Sequence, residues 1–412
     1  MDTILLDIQD NGRKILNPIK WIAMFAGCNT KYRIKFLHPM KILNLFLFMT
    51  SALACFGQLF YIWERRHQTF EKYSEAILIF FQSLISIWKL WLFTFSQDSI
   101  FEMIQSVETS ELLKDMEIFQ LDLIDEEHIV KDIFQILKDS WIDIKRQLLL
   151  NRATVFGICS WYSGHCLVSN IYYLYIGNED MLQFPFPASF PVWYQGERNL
   201  WHFFVEYIIV TMQIYMATVG SITCSGLFSI ISVHCLTLIR VLRKLIEYST
   251  SEHVPPRNRC IYTKACIKLH QQILSFCNRL NNLFKAFSLG LFATCCLLIC
   301  LLTFKATFDM GNDISASIKV CLYLLAAFYE LLIYCLNGQR ITSESELLPT
   351  TIYNCAWFEE NRHFQHMIHT MIMKTNNSIQ LDVGGFARMS SVTLLTIVRS
   401  SVSYFLFLQK CM

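Results

Sequence analysis

Seven stretches of about 20 mostly apolar residues stand out along the chain, at 42–63, 75–95, 153–176, 201–232, 284–304, 316–336 and 390–409. Each is long enough for a helix to cross roughly 30 Å of hydrocarbon. The fourth is longer than a bilayer requires, so it tilts or continues beyond the membrane. The pattern predicts an all-α, seven-transmembrane-helix protein. Between the segments, apolar residues still recur at helical spacing. In 101–152, Ile118, Leu121, Ile129, Ile133, Ile136 and Leu137 lie among acidic residues, which predicts helices that extend the second and third segments into a packed base.

The connections are unequal. Those after segments 1, 3 and 5 are short, whereas the N-terminus and the connections after 2, 4 and 6 are long. An intracellular N-terminus puts every long piece in the cytosol. It places 25 of the 35 Lys and Arg inside, 6 outside and 4 within the segments. The positive-inside rule favours this orientation, weakly, because the inner pieces also hold most of the non-membrane residues. None of the 16 cysteines falls in the three short outer loops, where a pair would oxidise. The sequon Asn376–Asn377–Ser378 falls inside and is expected to stay unmodified. Residues 1–10 mix acidic and apolar positions and do not form a secretory signal. With no repeat and no linker-like stretch, the expectation is one domain over 1–412.

Composition agrees with this reading and narrows the function. The chain is 54% hydrophobic and only 17% charged, with a mean hydropathy of +0.36 and a net charge of +2. Those values exclude an ordinary soluble enzyme, a disordered chain and a nucleic-acid binder. Walker, nucleophile-elbow and zincin motifs are absent, so an enzyme and a cofactor are not expected. His363, His366 and His369 advance by three residues each and rotate about 60° per step, so they cannot converge on one metal ion.

Ionisable residues inside spans point to function by default. Lys285 and Lys319 sit near segment ends, within snorkelling reach. Lys89 and Glu330 lie in the inner halves of segments 2 and 6, where they can pair. Glu206 is placed to line an outer vestibule, and Arg399 in mid-segment 7 must face protein or water. On segment 7, Thr393, Thr396, Ser400, Ser403, Phe407 and Lys410 advance by 3, 4, 3, 4 and 3 and so hold one helix face. A hydroxyl stripe either packs helices together or lines a hydrated pore; the pattern alone leans to packing. Segments 2, 3, 4 and 6 mix aromatics with small residues in their outer halves: Phe80, Phe81 and Leu84; Trp161, Gly164 and Val168; Tyr207, Ile208 and Met212; Tyr323 and Ala327. This suits a small-molecule pocket, and it also suits the general aromaticity of a membrane bundle.

The C-terminal third resembles the insect odorant receptor family. The residues that carry the resemblance are Leu348–Pro349, Ile352–Tyr353, Trp357, Gly385–Phe386, Thr393 and Ser403–Tyr404–Phe405 followed by Leu408. Upstream, Phe184–Pro185–Phe186–Pro187 before Pro191–Val192–Trp193 is similar to the family's second outer loop, and His270 with Asn281–Asn282 to its approach to segment 5. The resemblance implies an odorant-gated, non-selective cation channel subunit in the plasma membrane of olfactory sensory neurons. It implies partnership with a shared co-receptor in a heteromeric tetramer, a pore lined by the last helix, and an odorant site among segments 2, 3, 4 and 6. The connection at 233–283 is short, which implies the odour-tuning subunit. Under this resemblance the stripe becomes pore-lining, and Trp161, Gly164 and Val168 fall where family members contact ligand. Phe407 and Lys410 would suit a homomeric cation pore poorly, which agrees with reliance on a partner. The rival is a G-protein-coupled receptor. It would need an outer N-terminus and an outer disulfide, and the segment 3 and segment 7 signatures of that class are missing.

Overall fold

The computed structural model describes residues 2–25, 39–67, 70–109, 126–190, 200–309 and 314–411. Ile118, Leu121 and the Pro191–Val192–Trp193 motif lie outside the described residues, as does the side chain of Leu408. The helices are α1 (Asp2–Phe25), α2 (Pro39–Glu64), α3 (Phe70–Phe95), α4 (Gln97–Thr109), α5 (Glu126–Ile176), α6 (Leu200–Tyr248), α7 (Arg259–Asp309), α8 (Ile314–Glu346), α9 (Leu348–Tyr353), α10 (Arg362–Thr375) and α11 (Ser391–Cys411). A two-residue hairpin, β1 (Asp382–Val383) antiparallel to β2 (Ala387–Arg388), precedes α11.

Among the described residues, five helical stretches are long and apolar enough to cross a membrane: Leu45–Glu64, Ser74–Leu92, Leu200–Tyr248, Arg259–Thr307 and Ser317–Glu359. Ser391–Phe407 is shorter and also apolar. The segment expected at 153–176 lies on α5, where Ser160, Ser163, His165 and Asn170 dilute its hydropathy. α5, α6 and α7 each run for about 50 residues, about 75 Å at 1.5 Å per residue. That is twice a membrane's thickness, so each continues into the base. α3 instead breaks at Ser96, and the extension expected of segment 2 is the separate helix α4.

α6 is the axis of the molecule. From Val219 to Ile239 every residue is buried, as expected of a helix that is apolar all round and packed on all sides. Phe228 stacks on Tyr334 of α8 at 4.2 Å and meets Phe284 of α7 edge-on at 5.2 Å. Polar ties close the base. Arg240 Nε and Arg243 Nη1 each donate to Glu344 at 2.8 Å, Arg259 pairs with Glu360, and Gln147 and Asn337 exchange amide hydrogen bonds at 2.9 and 3.2 Å. Tyr248 Oη donates to Asp132 at 2.7 Å and, with Lys244 nearby, holds that carboxyl below its usual range.

The hairpin was not foreseen. Gly384 and Gly385 take φ of 62° and 82°, left-handed values that a residue with a Cβ adopts only with strain. The Gly384 N–H donates to Lys285 O at 3.0 Å, and Asn281 Oδ1 accepts from the Asp382 N–H at 2.8 Å. These bonds dock the turn on α7 and aim α11 along the bundle. Gly338 of α8 permits the close approach at the start of α11: a Cβ there would stand 2.4 Å from Met389 Cβ.

Candidate ligand cavity and pore helix

α3, α5, α6, α7 and α8 enclose a cavity of about 110 Å³. Its walls are apolar: Ile79, Ile158, Ile214, Leu298 and the rings of Phe186, Tyr162 and Tyr323. Tyr162 meets Tyr323 edge-on at 6.5 Å. Beyond these rings lies a smaller space lined by Glu75, Lys305 and Lys319. There Lys305 Nζ donates to Glu75 at 2.8 Å and Lys319 sits 5.6 Å from the Tyr162 ring centroid. A wider outer vestibule shares Glu75 and Lys319 and includes Phe184, Phe186, His202 and Glu206.

The opposite end of the cavity is polar. Lys89, wholly buried on α3, places Nζ 2.6 Å from both Glu330 Oε1 of α8 and Ser221 Oγ of α6. Ser225 Oγ donates to the same carboxylate oxygen at 3.3 Å. A buried charge that is both paired and hydrogen-bonded avoids the cost of a lone one. Along one side, Ser83 Oγ lies 3.1 Å from Gln58 Oε1 and accepts from the Gln213 amide, whose own oxygen accepts from Gln58 Nε2 at 3.5 Å.

Of the residues singled out from sequence, Tyr323 and Ala327 line this cavity. On the other helices the cavity uses a neighbouring face. α3 presents Ile79, Gln82 and Ser83, with Phe80, Phe81 and Leu84 beside them. α5 presents Thr154, Val155, Ile158 and Cys159 on the base side of Trp161, Gly164 and Val168, with Tyr162 next to Trp161. α6 presents Gln213, Ile214, Ala217, Thr218 and Ser221, beyond Tyr207, Ile208 and Met212. Val168 is 68% exposed and Ile208 55%. A Cβ on Gly164 would meet nothing within 4 Å, and the Trp161 indole stacks on His165 at 5.9 Å. The signal missed in the sequence was polar: Ser83, Gln213, Ser221 and Ser225 lie inside apolar spans and all converge on the cavity.

α11 packs one face inward. Leu394 and Ser401 are buried, and Ser401 Oγ donates to Cys296 O of α7 at 3.2 Å. At 100° per residue, Thr396, Ser403, Phe407 and Lys410 lie on the opposite side, and all four are exposed in the single chain; Thr393 and Ser400 are half-exposed. Arg399 flanks this stripe and is exposed as well. His363, His366 and His369 are exposed on α10, and no group of three metal-ligating side chains occurs among the described residues.

A helical, multi-pass membrane protein with a ligand-sized cavity and a polar outward-facing last helix is thus defined. The chain belongs to the odorant receptor family: the family model described as "7tm Odorant receptor" matches residues 69–402. It is similar to odorant receptor 63a of Drosophila melanogaster, 31% identical over 80% of this chain and 79% of the relative. It is also similar to odorant receptor 67b of the same species, 27% identical over 95% and 94%. Its fold matches that of the insect olfactory receptor OR5 from Machilis hrabei, solved alone (TM-score 0.78, 12% identity, 97% of this chain and 98% of that one) and in complex with eugenol (TM-score 0.79, 98% and 100%). The family is one of receptors, not enzymes. Membership sets aside the G-protein-coupled alternative and fits an odour-tuning receptor rather than the co-receptor.

Proposed function

We propose that the chain is the odour-tuning subunit of an odorant-gated, non-selective cation channel, assembled with a co-receptor as a heteromeric tetramer. It works in the plasma membrane of olfactory sensory neurons as one unit of seven spans with a cytosolic N-terminus. The observation that carries this reading is α11. Its polar row faces away from the bundle: Thr393 and Thr396 donate to Arg388 O and Val392 O at 2.6 and 2.9 Å, while the Lys410 charge at the end of the row is exposed and would find no partner in lipid; a water-filled pore or a neighbouring subunit satisfies it. The pore face is Thr393, Thr396, Ser400, Ser403, Phe407 and Lys410.

The odorant occupies the cavity between α3, α5, α6 and α8, in contact with Tyr323 and Ala327 and with Ile79, Ile158, Tyr162 and Ile214. The solved receptor with eugenol supports a small, largely apolar volatile as the ligand class. The test is whole-cell current under a panel of volatiles in cells that express the chain with and without an odorant co-receptor. Odorant-evoked cation current only in the co-expressing cells is expected. Evoked current that requires a G protein and is indifferent to the co-receptor would overturn the proposal.

A further inference from the structure

The polar end of the cavity carries mostly hydrogen-bond acceptors. Thr154 Oγ1 donates to Leu150 O at 3.0 Å, Thr218 Oγ1 to Ile214 O at 2.7 Å and Ser83 Oγ to Ile79 O at 2.7 Å. Asn151 Nδ2 donates to Ile222 O at 3.3 Å and Tyr329 Oη to Gln147 O at 3.1 Å. Each of these hydroxyl protons, and one of the two Asn151 amide protons, is committed to backbone, while a hydroxyl oxygen retains lone pairs after it has donated. Ser221 keeps its own proton, and the Gln82 amide and the Tyr323 phenol bring donors to the apolar walls. At the polar end the dominant group is Glu330. Both bonds recorded to its carboxylate, from Lys89 and Ser225, fall on Oε1. Among the described residues no hydrogen bond falls on Oε2, and Glu330 lines the cavity at 15% side-chain exposure.

We infer that Glu330 selects neutral odorants that bear a hydroxyl group, alcohols or phenols, whose O–H donates to the free carboxylate oxygen while the carbon skeleton fills the apolar walls. The inference rests on the proposed odorant site. An ether, ester or ketone of the same shape brings only lone pairs to a carboxylate and leaves it unsatisfied, which is costly once the ligand has displaced water from it. An amine would enter as a cation. Lys89 already neutralises Glu330 at 2.6 Å, so a second cation would leave net positive charge buried, and this disfavours it. The class that remains is the uncharged donor.

The probes are benzyl alcohol, benzyl methyl ether and benzylamine, with 1-hexanol and hexyl methyl ether as an aliphatic pair. Binding is read as ligand-induced shift in thermal unfolding of the purified heteromer, and potency as evoked current. The wild type should bind each alcohol about tenfold or more tightly than its ether, with benzylamine weakest. Glu330→Gln alone strands Lys89 and can fail to reach the membrane, so the deciding variant is the neutral pair Lys89→Gln/Glu330→Gln, checked for surface expression. In it the alcohol preference should fall to about threefold or less, with ether binding retained. A wild type that binds no alcohol probe, or prefers the ethers, overturns the assignment; so does a double variant that keeps the full preference. Ala327→Leu separates the two readings. If it reduces binding of alcohol and ether together while the Glu330 prediction fails, the cavity stands and the selectivity does not; if it changes neither, the cavity reading itself fails.

Discussion

Ala327 offers a direct way to find where the odorant sits. It is buried on α8 at 5% exposure and faces the cavity, so Ala327→Leu adds three carbons to that space. An unfilled cavity weakens a fold by roughly 24 cal/mol per Å³. For about 110 Å³ the product is about 2.6 kcal/mol. A ligand of matching shape recovers up to that amount, about 70-fold in affinity. A leucine that fills about half the space takes about 1.3 kcal/mol of it.

Two opposite effects should follow from that one substitution. The purified subunit should resist heat better by about 1 kcal/mol, less any strain from overpacking, which runs to about 1–3 kcal/mol when a side chain does not fit. The half-maximal odorant concentration should rise about tenfold, and the largest odorants should lose their response altogether. The assays are thermal unfolding in detergent and dose–response currents normalised to surface expression. Gly164→Leu and Val168→Ala are the controls, because both positions lie off the cavity: a side chain at 164 enters open space and Val168 is 68% exposed. A normal Ala327→Leu response beside a shifted Gly164→Leu response would refute the assignment of this cavity.

Three further outcomes are expected. Gly338→Ala brings a Cβ to 2.4 Å from Met389 Cβ and 2.5 Å from Met389 O; because backbone cannot yield, it should remove most surface expression, measured by cell-surface biotinylation. An N-terminal tag should bind antibody only after permeabilisation, and Asn376 should show no glycan mass shift. Phe407, 64% exposed on the outward face of α11, is the apolar constriction we assign to this subunit's share of the gate. Phe407→Ala should raise current without odorant and leave odorant rank order intact, and Ser403→Cys should react with hydrophilic thiol reagents only during odorant, with buried Leu394→Cys unreactive throughout.

The helical architecture was legible because a bilayer imposes length and apolarity at once. α2, α3, α6, α7 and α8 each contain an expected segment. Beyond the membrane that constraint lapses. The expectation of extensions named segments 2 and 3: α5 does continue segment 3 as one helix, whereas α3 breaks at Ser96. The length of segment 4 left α6 either to tilt or to continue, and the long continuation of α7 was not foreseen. The inner half of α6 could not be told from a second membrane crossing by hydropathy alone, since Val233, Leu236, Leu238 and Ile239 are as apolar as a span. They are apolar because α1, α5, α7 and α8 surround them. The hairpin at 382–388 escaped for the opposite reason: two residues per strand give no period to detect, and only Gly384–Gly385 marked a turn.

The site was legible by helix but not by face. Aromatic residues pointed to α3, α5, α6 and α8, which do line the cavity together with α7, yet an aromatic inside a membrane protein is equally at home against lipid. Val168, Ile208 and Leu84 took that outer position, and nothing in their chemistry forbade it. Polar side chains have less freedom, because hydrocarbon offers them no partner and only a Ser or Thr can fall back on its own helix backbone. Lys89 and Glu330 were recognised as able to pair, and their 2.6 Å contact anchors one end of the cavity. Had Ser83, Gln213, Ser221 and Ser225 been weighed in the same way, each would have turned its helix face inward by elimination. Periods of 4 link Gln213, Ala217, Ser221 and Ser225 along α6, and that row is the cavity wall. In a chain whose solvent is lipid, a polar residue therefore locates the interior more firmly than an aromatic one does. The same logic separates α11, whose polar row faces outward from its own subunit: its interior has to be supplied by water or by another chain.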